Sequence, residues 1–466
     1  MMPPKFANLN KAGETLDQLA KELHTDEFTI VENPSYIYRP LDIYPMPPKI
    51  TSPRKKLTAI VKDMDGTTTT TEELCVHSLE FMVGKICGLE KGKNWDGLDH
   101  SDHPHIIGNS TTKHVEYLIR RFGDGSRMEC FREAYFFAVL WTLSEGKDPG
   151  RREEILANLR AFGLGRVAME SDVRSFLPEE EFDVETARAL ALEISKRHPG
   201  LPRLETFEDK VRASIDIYYQ RYHEILAAID QGRGEDLSRK ILGNPHAHLI
   251  EPMPGVAVFL AAVKGWLGED LVAFGGDLAA LLEQNPRVNI TPEEIQRGTA
   301  NLSPLGRYFE SRPLKVAVVT SSIEYEARIV LREVFKVLHT QVAGWELSRE
   351  KKELIGDRFS DYQKTYDAFI TATDSSEMRL KPHPDLYSMA LHRMGIDRED
   401  LDTVIGFEDS ESGTRAIRAA GVGLCVALPF PFTSGHDLTA ASHILEGGLP
   451  EAIIRQGLFL DPGVLS

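Results

Sequence analysis

Short apolar runs that alternate with amphipathic segments are the feature that most constrains the fold of this chain. Five runs are rich in β-branched residues and lie at 57–62, 314–319, 366–373, 402–407 and 423–428. Helical periodicity is found at 325–338, 383–394 and 411–420. Strands that alternate with helices pair in parallel, with right-handed crossovers. The sequence therefore predicts an α/β fold with a doubly wound, Rossmann-like parallel sheet.

A long helical stretch follows the first run. Its segments carry apolar residues at the i, i+3, i+4 spacing of amphipathic helices. We predict four parts in the chain: an N-terminal extension, 1–54; an α/β core, 55–71 plus 251–466; an insertion within that core, 268–312; and an inserted helical domain, 72–250. The extension is rich in proline. One helical stretch at about 10–23 precedes a segment whose prolines and aromatic residues predict extended chain packed over another surface.

Composition limits the partners of the chain. The 466 residues carry a net charge of −17, which argues against general binding to nucleic acid or to anionic membranes. We find no run of about 18 apolar residues, so the sequence predicts no transmembrane helix. The four cysteines are scattered without a C-x-x-C pair, which is typical of a reducing cytoplasm. We therefore expect a cytoplasmic protein with a small-molecule partner, and the oligomeric state stays open.

Polar side chains follow four of the predicted strands at their carboxyl ends. They are Asp63 with Asp65, Thr320 with Ser321, Lys381, and Glu408 with Asp409. Because the carboxyl ends of parallel strands meet at one edge of a sheet, we expect these side chains to converge. One carboxylate can attack an electrophile while a second handles a proton. Acids can also hold Mg²⁺, and a lysine and a hydroxyl can bind phosphate. The set suits phosphoryl transfer.

Each cluster also has an ordinary structural explanation when taken alone. Asp63 and Asp65 could be solvated acids in a turn, and Lys381 could be a surface lysine. Thr320 could cap a helix, and Glu408 could interact with a helix dipole. The occurrence of all four clusters in one chain favours the catalytic interpretation.

Four motifs resemble those of the haloacid dehalogenase superfamily of phosphatases and phosphomutases. They are DMDGT (63–67), VVTSS (318–322), LKPHPD (380–385) and GFEDSESGTRAIRAAGV (406–422). The segment PMPGVAVFLAAVK (252–264) is similar to the family's return from the inserted domain to the core. The Glu-Asp-Ser form of the last motif resembles the β-phosphoglucomutase-like branch. The resemblance implies a Rossmann-like core with a helical cap, which would be 72–250.

The resemblance also implies roles for the matched residues. Asp63 would be the nucleophile that becomes an aspartyl-phosphate, and Asp65 would be the general acid/base. Lys381 would steady the nucleophile and the phosphate. The predicted phosphate-binding residues are Thr320, Ser321, Gly66 and Thr67. The predicted Mg²⁺ site consists of Asp63, Asp65, Asp409 and Glu408.

The function that this resemblance implies is a Mg²⁺-dependent phosphatase acting on a small phosphorylated metabolite, such as a sugar or polyol phosphate. A phosphomutase of the β-phosphoglucomutase type is the first alternative, and a binding or scaffold protein on an inactive core is the second. Residues 72–250 exceed the usual inserted domain, which leaves the substrate open. The loop 99–105 is dense in histidine and aspartate, but its spacing fits no standard zinc pattern and favours a solvated loop.

Overall fold

A computed structural model describes residues 18–465 apart from 19, 24, 26, 34–40, 100, 109, 178–181, 242–247, 376–378 and 434. The described residues form two compact units. The α/β unit contains those of 1–69, 252–323 and 334–466, and the helical unit contains those of 70–251 together with 324–333. Most of the helix predicted at about 10–23 lies outside the described residues.

The strands of the α/β unit form two sheets. The described strands are β1 (Phe28–Glu32), β2 (Leu41–Pro45), β3 (Ala59–Asp63), β4 (Lys315–Val319), β5 (Ala368–Ile370), β6 (Val404–Glu408), β7 (Leu424–Ala427) and β8 (His443–Ile444). Strands β1 and β2 pair antiparallel as a hairpin. The other six form one sheet in the order β5-β4-β3-β6-β7-β8, and every pairing in it is parallel. The predicted α/β class with a parallel sheet is confirmed.

The first predicted strand, β3, lies at the centre of this sheet. All five of its residues are buried, and it pairs with β4 on one side and β6 on the other. A strand covered on both faces needs a nearly continuous apolar sequence, which explains the β-branched run before Asp63. The carboxyl ends of β3, β4 and β6 therefore lie side by side at one edge.

In its described residues the helical unit contains long and short helices, as the spacing of apolar residues in 72–250 predicts. Its helices are α1 (Glu72–Cys87), α2 (His103–Ile106), α3 (Thr111–Phe122), α4 (Met128–Glu145), α5 (Pro149–Ala161), α6 (Ser171–Phe176), α7 (Val184–Arg197), α8 (Phe207–Asp230) and α9 (Gly234–Ile241). Local signals set several starts: Asp148, Asp183 and Thr206 each accept a hydrogen bond from a first-turn backbone amide.

The helices of the α/β unit follow in the rest of the chain. They are α10 (Val256–Val263), α11 (Gly275–Glu283), α12 (Pro292–Ala300), α13 (Leu302–Ser311), α14 (Glu324–Ala343), α15 (Arg349–Phe359), α16 (Asp385–Arg393), α17 (Glu411–Ala419) and α18 (Gly448–Ile454). The first ten residues of α14, 324–333, group with the helical unit. The insertion 268–312 is mainly helical, and a capping box of Thr291 and Glu294 begins α12.

The described part of the N-terminal extension packs on the α/β unit. The backbone amide of Ile50 donates to the carbonyl of Gly423 at 3.0 Å, and that of Arg54 donates to Phe459 at 2.8 Å. The extension is therefore part of this unit's packing. Among the residues that the structure describes, no helix has both the length and the apolar character that a membrane span requires.

Candidate active site

The turn after β3 places two carboxylates at the edge of the sheet. Asp63 is the last residue of β3, and Gly66 then takes a left-handed conformation with φ of 78°. Glycine adopts this region at little cost, so the chain can reverse tightly there. The hydroxyl of Thr68 donates to the carbonyl of Asp63 at 2.6 Å, and the amide of Thr68 donates to Met64 at 2.8 Å. These bonds fix the turn that carries Asp65.

Lys381 joins two of the strand ends. Its ammonium group donates to Asp63 and, at 2.7 Å, to Oε1 of Glu408. The hydroxyl of Tyr387, on α16, donates to the same Glu408 oxygen at 3.0 Å. The Lys381 side chain is 7% exposed, so these contacts are made away from bulk water. The surface-lysine alternative is therefore wrong for Lys381.

Glu408 and Asp409 follow β6 in a network of donors. Oε2 of Glu408 accepts from the amides of Asp409 and Ser410, each at 3.0 Å, and from the Ser410 hydroxyl at 2.9 Å. Ser410 in turn caps α17. The hydroxyl of Thr67 donates to Oδ1 of Asp409 at 3.1 Å, which joins the β3 turn to the β6 end.

Thr320 holds Asp65 from the end of β4. Its hydroxyl donates to Oδ2 of Asp65 at 2.8 Å, and the Ser322 hydroxyl lies 3.4 Å from the same oxygen. The Ser322 amide donates to the Thr320 hydroxyl at 2.9 Å, which fixes the rotamer of Thr320. Asp65 is therefore oriented by β4, while Asp63 is bonded by Lys381.

The buried charges of the site oppose one another. Burial raises the pKa of Asp63 above its usual range, and the charges of Glu408 and Asp65 raise it further. The ammonium group of Lys381 acts against this rise. Burial alone favours the neutral amine of Lys381, but Asp63 and Glu408 together raise its pKa above the ordinary value. Lys381 is therefore charged, and a second cation near Asp63 would keep that carboxylate ionised.

The donor set fits a hard divalent cation. Asp63, Glu408 and Asp409 are all buried, and each offers an oxygen within 4.8 Å of the others. Three buried carboxylates face a single ammonium group, which leaves an excess of negative charge. Both oxygens of Glu408 already accept hydrogen bonds, so Asp63 and Asp409 are the better placed ligands. Mg²⁺ prefers oxygen ligands and is usually bound by only one or two protein carboxylates.

The remaining predicted phosphate-binding residues are near this cluster. The Gly66 amide donates to the carbonyl of Thr69 at 2.9 Å, inside the turn. The Thr67 hydroxyl is bonded to Asp409, as described above. Ser321 is half-buried and follows Thr320. Binding of phosphate by these three residues stays a prediction.

Sequence reasoning did not assign Tyr387, Ser410 or Ser322 to the site. Ser410 stands directly after the acidic pair in the fourth motif, and Ser322 stands two residues after Thr320, so local sequence could have indicated both. Tyr387 had no comparable signal, because its contact depends on how α16 packs beside Glu408.

The histidine-rich segment 99–105 lies in the helical unit, and His100 falls outside the described residues. The predicted solvated loop is wrong for its later part, because α2 begins at His103 and Asp102 is buried. Asp102 is buried and bonds to Arg121, and Asp99 pairs with the same guanidinium at 2.7 Å. Within the described ranges, the one group of three or more potential metal ligands is that of Asp63. The ion pairs with Arg121 thus give the two aspartates a structural role.

No family model matches the chain. Among curated proteins, the phosphorylated carbohydrates phosphatase of Thermotoga maritima is 22% identical over 244 residues, which span 51% of this chain and 89% of that protein. The α/β unit has the parallel sheet that the resemblance to the haloacid dehalogenase superfamily implies. The four motifs that carry this resemblance lie at the carboxyl ends of β3, β4 and β6 and on the loop before α16.

Two solved structures show weaker likeness. CbbY from Rhodobacter sphaeroides, in complex with phosphate, is 15% identical, with a TM-score of 0.37 over 85% of this chain and 96% of its own. A HAD family hydrolase from Deinococcus radiodurans is 14% identical, with a TM-score of 0.36 over 88% of this chain and 99% of its own. The resemblance to the haloacid dehalogenase superfamily is carried by the four motifs and by their position on the parallel sheet.

Proposed function

We propose that this protein is a Mg²⁺-dependent phosphatase that hydrolyses a small phosphorylated metabolite, such as a sugar or polyol phosphate. The observation that carries the proposal is the hydrogen bond of buried Lys381 to Asp63 and Glu408, beside Asp409 and an Asp65 oriented by Thr320. A scaffold protein has no use for this arrangement, because buried charges are costly to hold.

The first step transfers phosphate to Asp63. An Asp63 oxygen attacks phosphorus, and the bond from phosphorus to the leaving oxygen of the substrate breaks. Asp65 gives its proton to that oxygen, so the product leaves as a neutral alcohol. The two-residue offset of Asp65 puts its carboxyl beside the reacting centre.

The second step releases phosphate. Asp65, now a carboxylate, accepts a proton from a water molecule while the water oxygen attacks phosphorus. The bond from phosphorus to Asp63 breaks, which frees inorganic phosphate and restores both aspartates. Lys381 stabilises negative charge on Asp63 and on the phosphoryl oxygens in both steps. Asp63 and Asp409 would hold Mg²⁺, which would supply further neutralisation of that charge.

Substrate recognition, cellular location and partners are proposed from the sequence. We assign recognition of the rest of the substrate to residues 72–250 as a cap, because the resemblance implies it. A cytoplasmic location, and the absence of nucleic-acid and membrane partners, likewise stay predictions from charge and composition.

A phosphate-release screen tests the proposal. The full chain with Mg²⁺ is incubated with a panel of sugar, polyol and carboxylic-acid phosphates. We expect release of inorganic phosphate from at least one sugar or polyol phosphate, and no release from the whole panel would contradict the proposal. Glucose 1-phosphate is followed by product analysis, because glucose 6-phosphate in place of free phosphate would instead indicate a mutase.

Removal of the metal is expected to suppress turnover. Without a divalent cation, the buried Asp63 and Asp409 repel the phosphate dianion, and burial keeps the pKa of Asp63 raised. We expect chelation by EDTA to reduce phosphate release by about a hundredfold or more. Excess Mg²⁺ should restore phosphate release. Excess Ca²⁺ is the control, because it has the same charge but a larger radius and a different coordination geometry. Full activity after exhaustive chelation would rule out the metal assignment.

Asp65→Asn is expected to lower kcat/KM by a factor that depends on the leaving group of the substrate. An amide cannot donate the proton that an alkoxide needs, so sugar phosphates should lose about a hundredfold or more in kcat/KM. The loss should be smaller for p-nitrophenyl phosphate, whose leaving group departs without protonation. Steady-state kinetics on both substrates measure this difference. Equal losses would argue against Asp65 as the general acid.

A further inference from the structure

We infer that the hairpin of β1 and β2 positions Lys381, so that the N-terminal extension is part of the catalytic apparatus. The inference rests on the proposed function of Lys381. It concerns two segments of the α/β unit: the described residues of the hairpin, 28–33 and 41–45, and the Lys381 loop, 379–385. Their described residues meet through side chains of β2.

The Lys381 loop is closed at its ends by its own side chains. Arg379 binds Asp385 with two hydrogen bonds, from Nε at 2.5 Å and from Nη2 at 2.9 Å. Such paired bonds define the orientation of both groups. Within the loop, the His383 amide donates to the Leu380 carbonyl at 2.9 Å. Lys381 lies between these two fixed points.

Tyr44 of β2 binds both sides of this loop. Its hydroxyl accepts from Nη2 of Arg379 at 3.0 Å and lies 2.9 Å from Nδ1 of His383. Arg379 can only donate, so the Tyr44 hydroxyl is the acceptor in that bond, and the direction of its bond with His383 depends on the tautomer of the imidazole. The two rings also meet edge to face, with centroids 5.7 Å apart. His383 is 3% exposed, so Tyr44 holds it in a closed environment.

Strand geometry explains why β2 provides these contacts. Side chains alternate between the two faces of a strand, so Asp42 and Tyr44 share one face and Ile43 lies on the other. Asp42 adds a carboxylate 3.7 Å from Nη1 of Arg379, and Asn33 of the extension donates to Asp42 at 2.8 Å. Ile43 is 45% exposed.

The base of the hairpin is anchored to a second element of the site. Arg418, on α17, is completely buried and donates to Glu27 at 2.6 Å and to the carbonyl of Pro47. A buried guanidinium must keep its partners, so these residues are held firmly. Helix α17 begins directly after Glu408 and Asp409. The hairpin therefore connects the helix beside the acidic pair with the loop that carries Lys381.

Kinetics of matched hairpin variants test the inference. Tyr44→Phe removes the hydroxyl and keeps the ring, whereas Ile43→Thr changes the opposite face of the same strand. We expect Tyr44→Phe to lower kcat about fivefold to tenfold with KM changed less than about twofold, because a lost hydrogen bond misplaces Lys381 for the transition state. Ile43→Thr should match the wild type. Equal kcat in Tyr44→Phe and wild type would overturn the inference.

A double-mutant cycle with Lys381→Arg distinguishes positioning from general loosening. If Tyr44 acts through Lys381, its effect on kcat should largely disappear in the Lys381→Arg background, since coupled residues are not additive. The same cycle is measured on the binding constant of tungstate, a phosphate analogue, which needs no turnover. Additive effects of the two substitutions in both measurements would reject the inference that Tyr44 positions Lys381.

Hydrogen exchange separates failure of this inference from failure of the proposed function. In Tyr44→Phe, amide exchange of peptides containing 379–385 should rise at least about fivefold over Ile43→Thr, because the loop loses an anchor. This measurement holds even for a chain that hydrolyses no substrate. Unchanged exchange would contradict the inference that Tyr44 anchors the Lys381 loop. Increased exchange in a protein that is inactive on every phosphate tested would support the anchoring by Tyr44 and would reject the proposed phosphatase function.

Discussion

Asp63→Asn is expected to reduce phosphate release by about a thousandfold or more, because an amide cannot form the aspartyl-phosphate. The substitution preserves the size of the side chain and the hydrogen bond that the Thr68 hydroxyl donates to the backbone carbonyl. The fold should therefore survive, which thermal unfolding in parallel would show. The loss is measured as phosphate release with the best substrate of the screen.

Two comparisons make this result specific. Asp400→Asn, which changes an exposed aspartate in the helical turn that precedes β6, is the matched control and should retain full activity. Fluoroberyllate, which mimics a phosphoryl group on a carboxylate, should bind the wild type and not Asp63→Asn. Full turnover in Asp63→Asn would remove Asp63 as the nucleophile.

The core of the site was predictable from sequence because each of its residues lies next to a strand. An apolar, β-branched run marks a buried strand, and a parallel sheet sends the ends of such strands to one edge. Asp63, Thr320 and Glu408 met in the predicted place for this reason. Lys381 lies on a loop and not at a strand end, but the resemblance of the LKPHPD motif indicated that Lys381 belongs to the site.

Other features depend on tertiary packing and left no local signal. The sequence 366–373 predicts eight residues of strand, but β5 has three, because β5 pairs with β4 alone at the edge of the sheet. Lys62 is a second case. It lies within β3, its ammonium nitrogen has no hydrogen-bond partner among the described residues, and burial lowers its pKa to about 7.

The N-terminal hairpin shows the same limit. Proline and aromatic residues predicted an extended segment, but the match of Tyr44 to Arg379 and His383 joins positions more than 300 residues apart. A contact at that separation is set by the path of the whole chain. It can be read only from the folded structure.

Lys381→Met is expected to remove catalysis and to make the stability of the protein depend strongly on pH. Loss of the ammonium group leaves Asp63 buried without its cation, and breaking such a pair costs about 3–5 kcal/mol. We expect kcat to fall about a hundredfold or more, because charge on the attacked phosphoryl group is no longer balanced.

The sign of the pH dependence follows from Asp63. Its pKa in the folded protein is already raised by burial, and Lys381 is the group that opposes the rise. Removing Lys381 raises this pKa further, so the folded variant binds a proton that the unfolded chain releases near pH 4. The variant should therefore be close to the wild type in stability near pH 4–5, and should lose stability as the pH rises toward 8.

Thermal unfolding of wild type and variant between pH 4.5 and 8 measures this difference. Lys364→Met, which removes an exposed lysine paired with Asp357, is the matched control and should show no widening gap with pH. Mg²⁺ should raise the Tm of Lys381→Met more than that of wild type at pH 8, because a cation at Asp63 and Asp409 replaces part of the missing charge. A gap in Tm that stays constant with pH would mean that Lys381 does not neutralise Asp63.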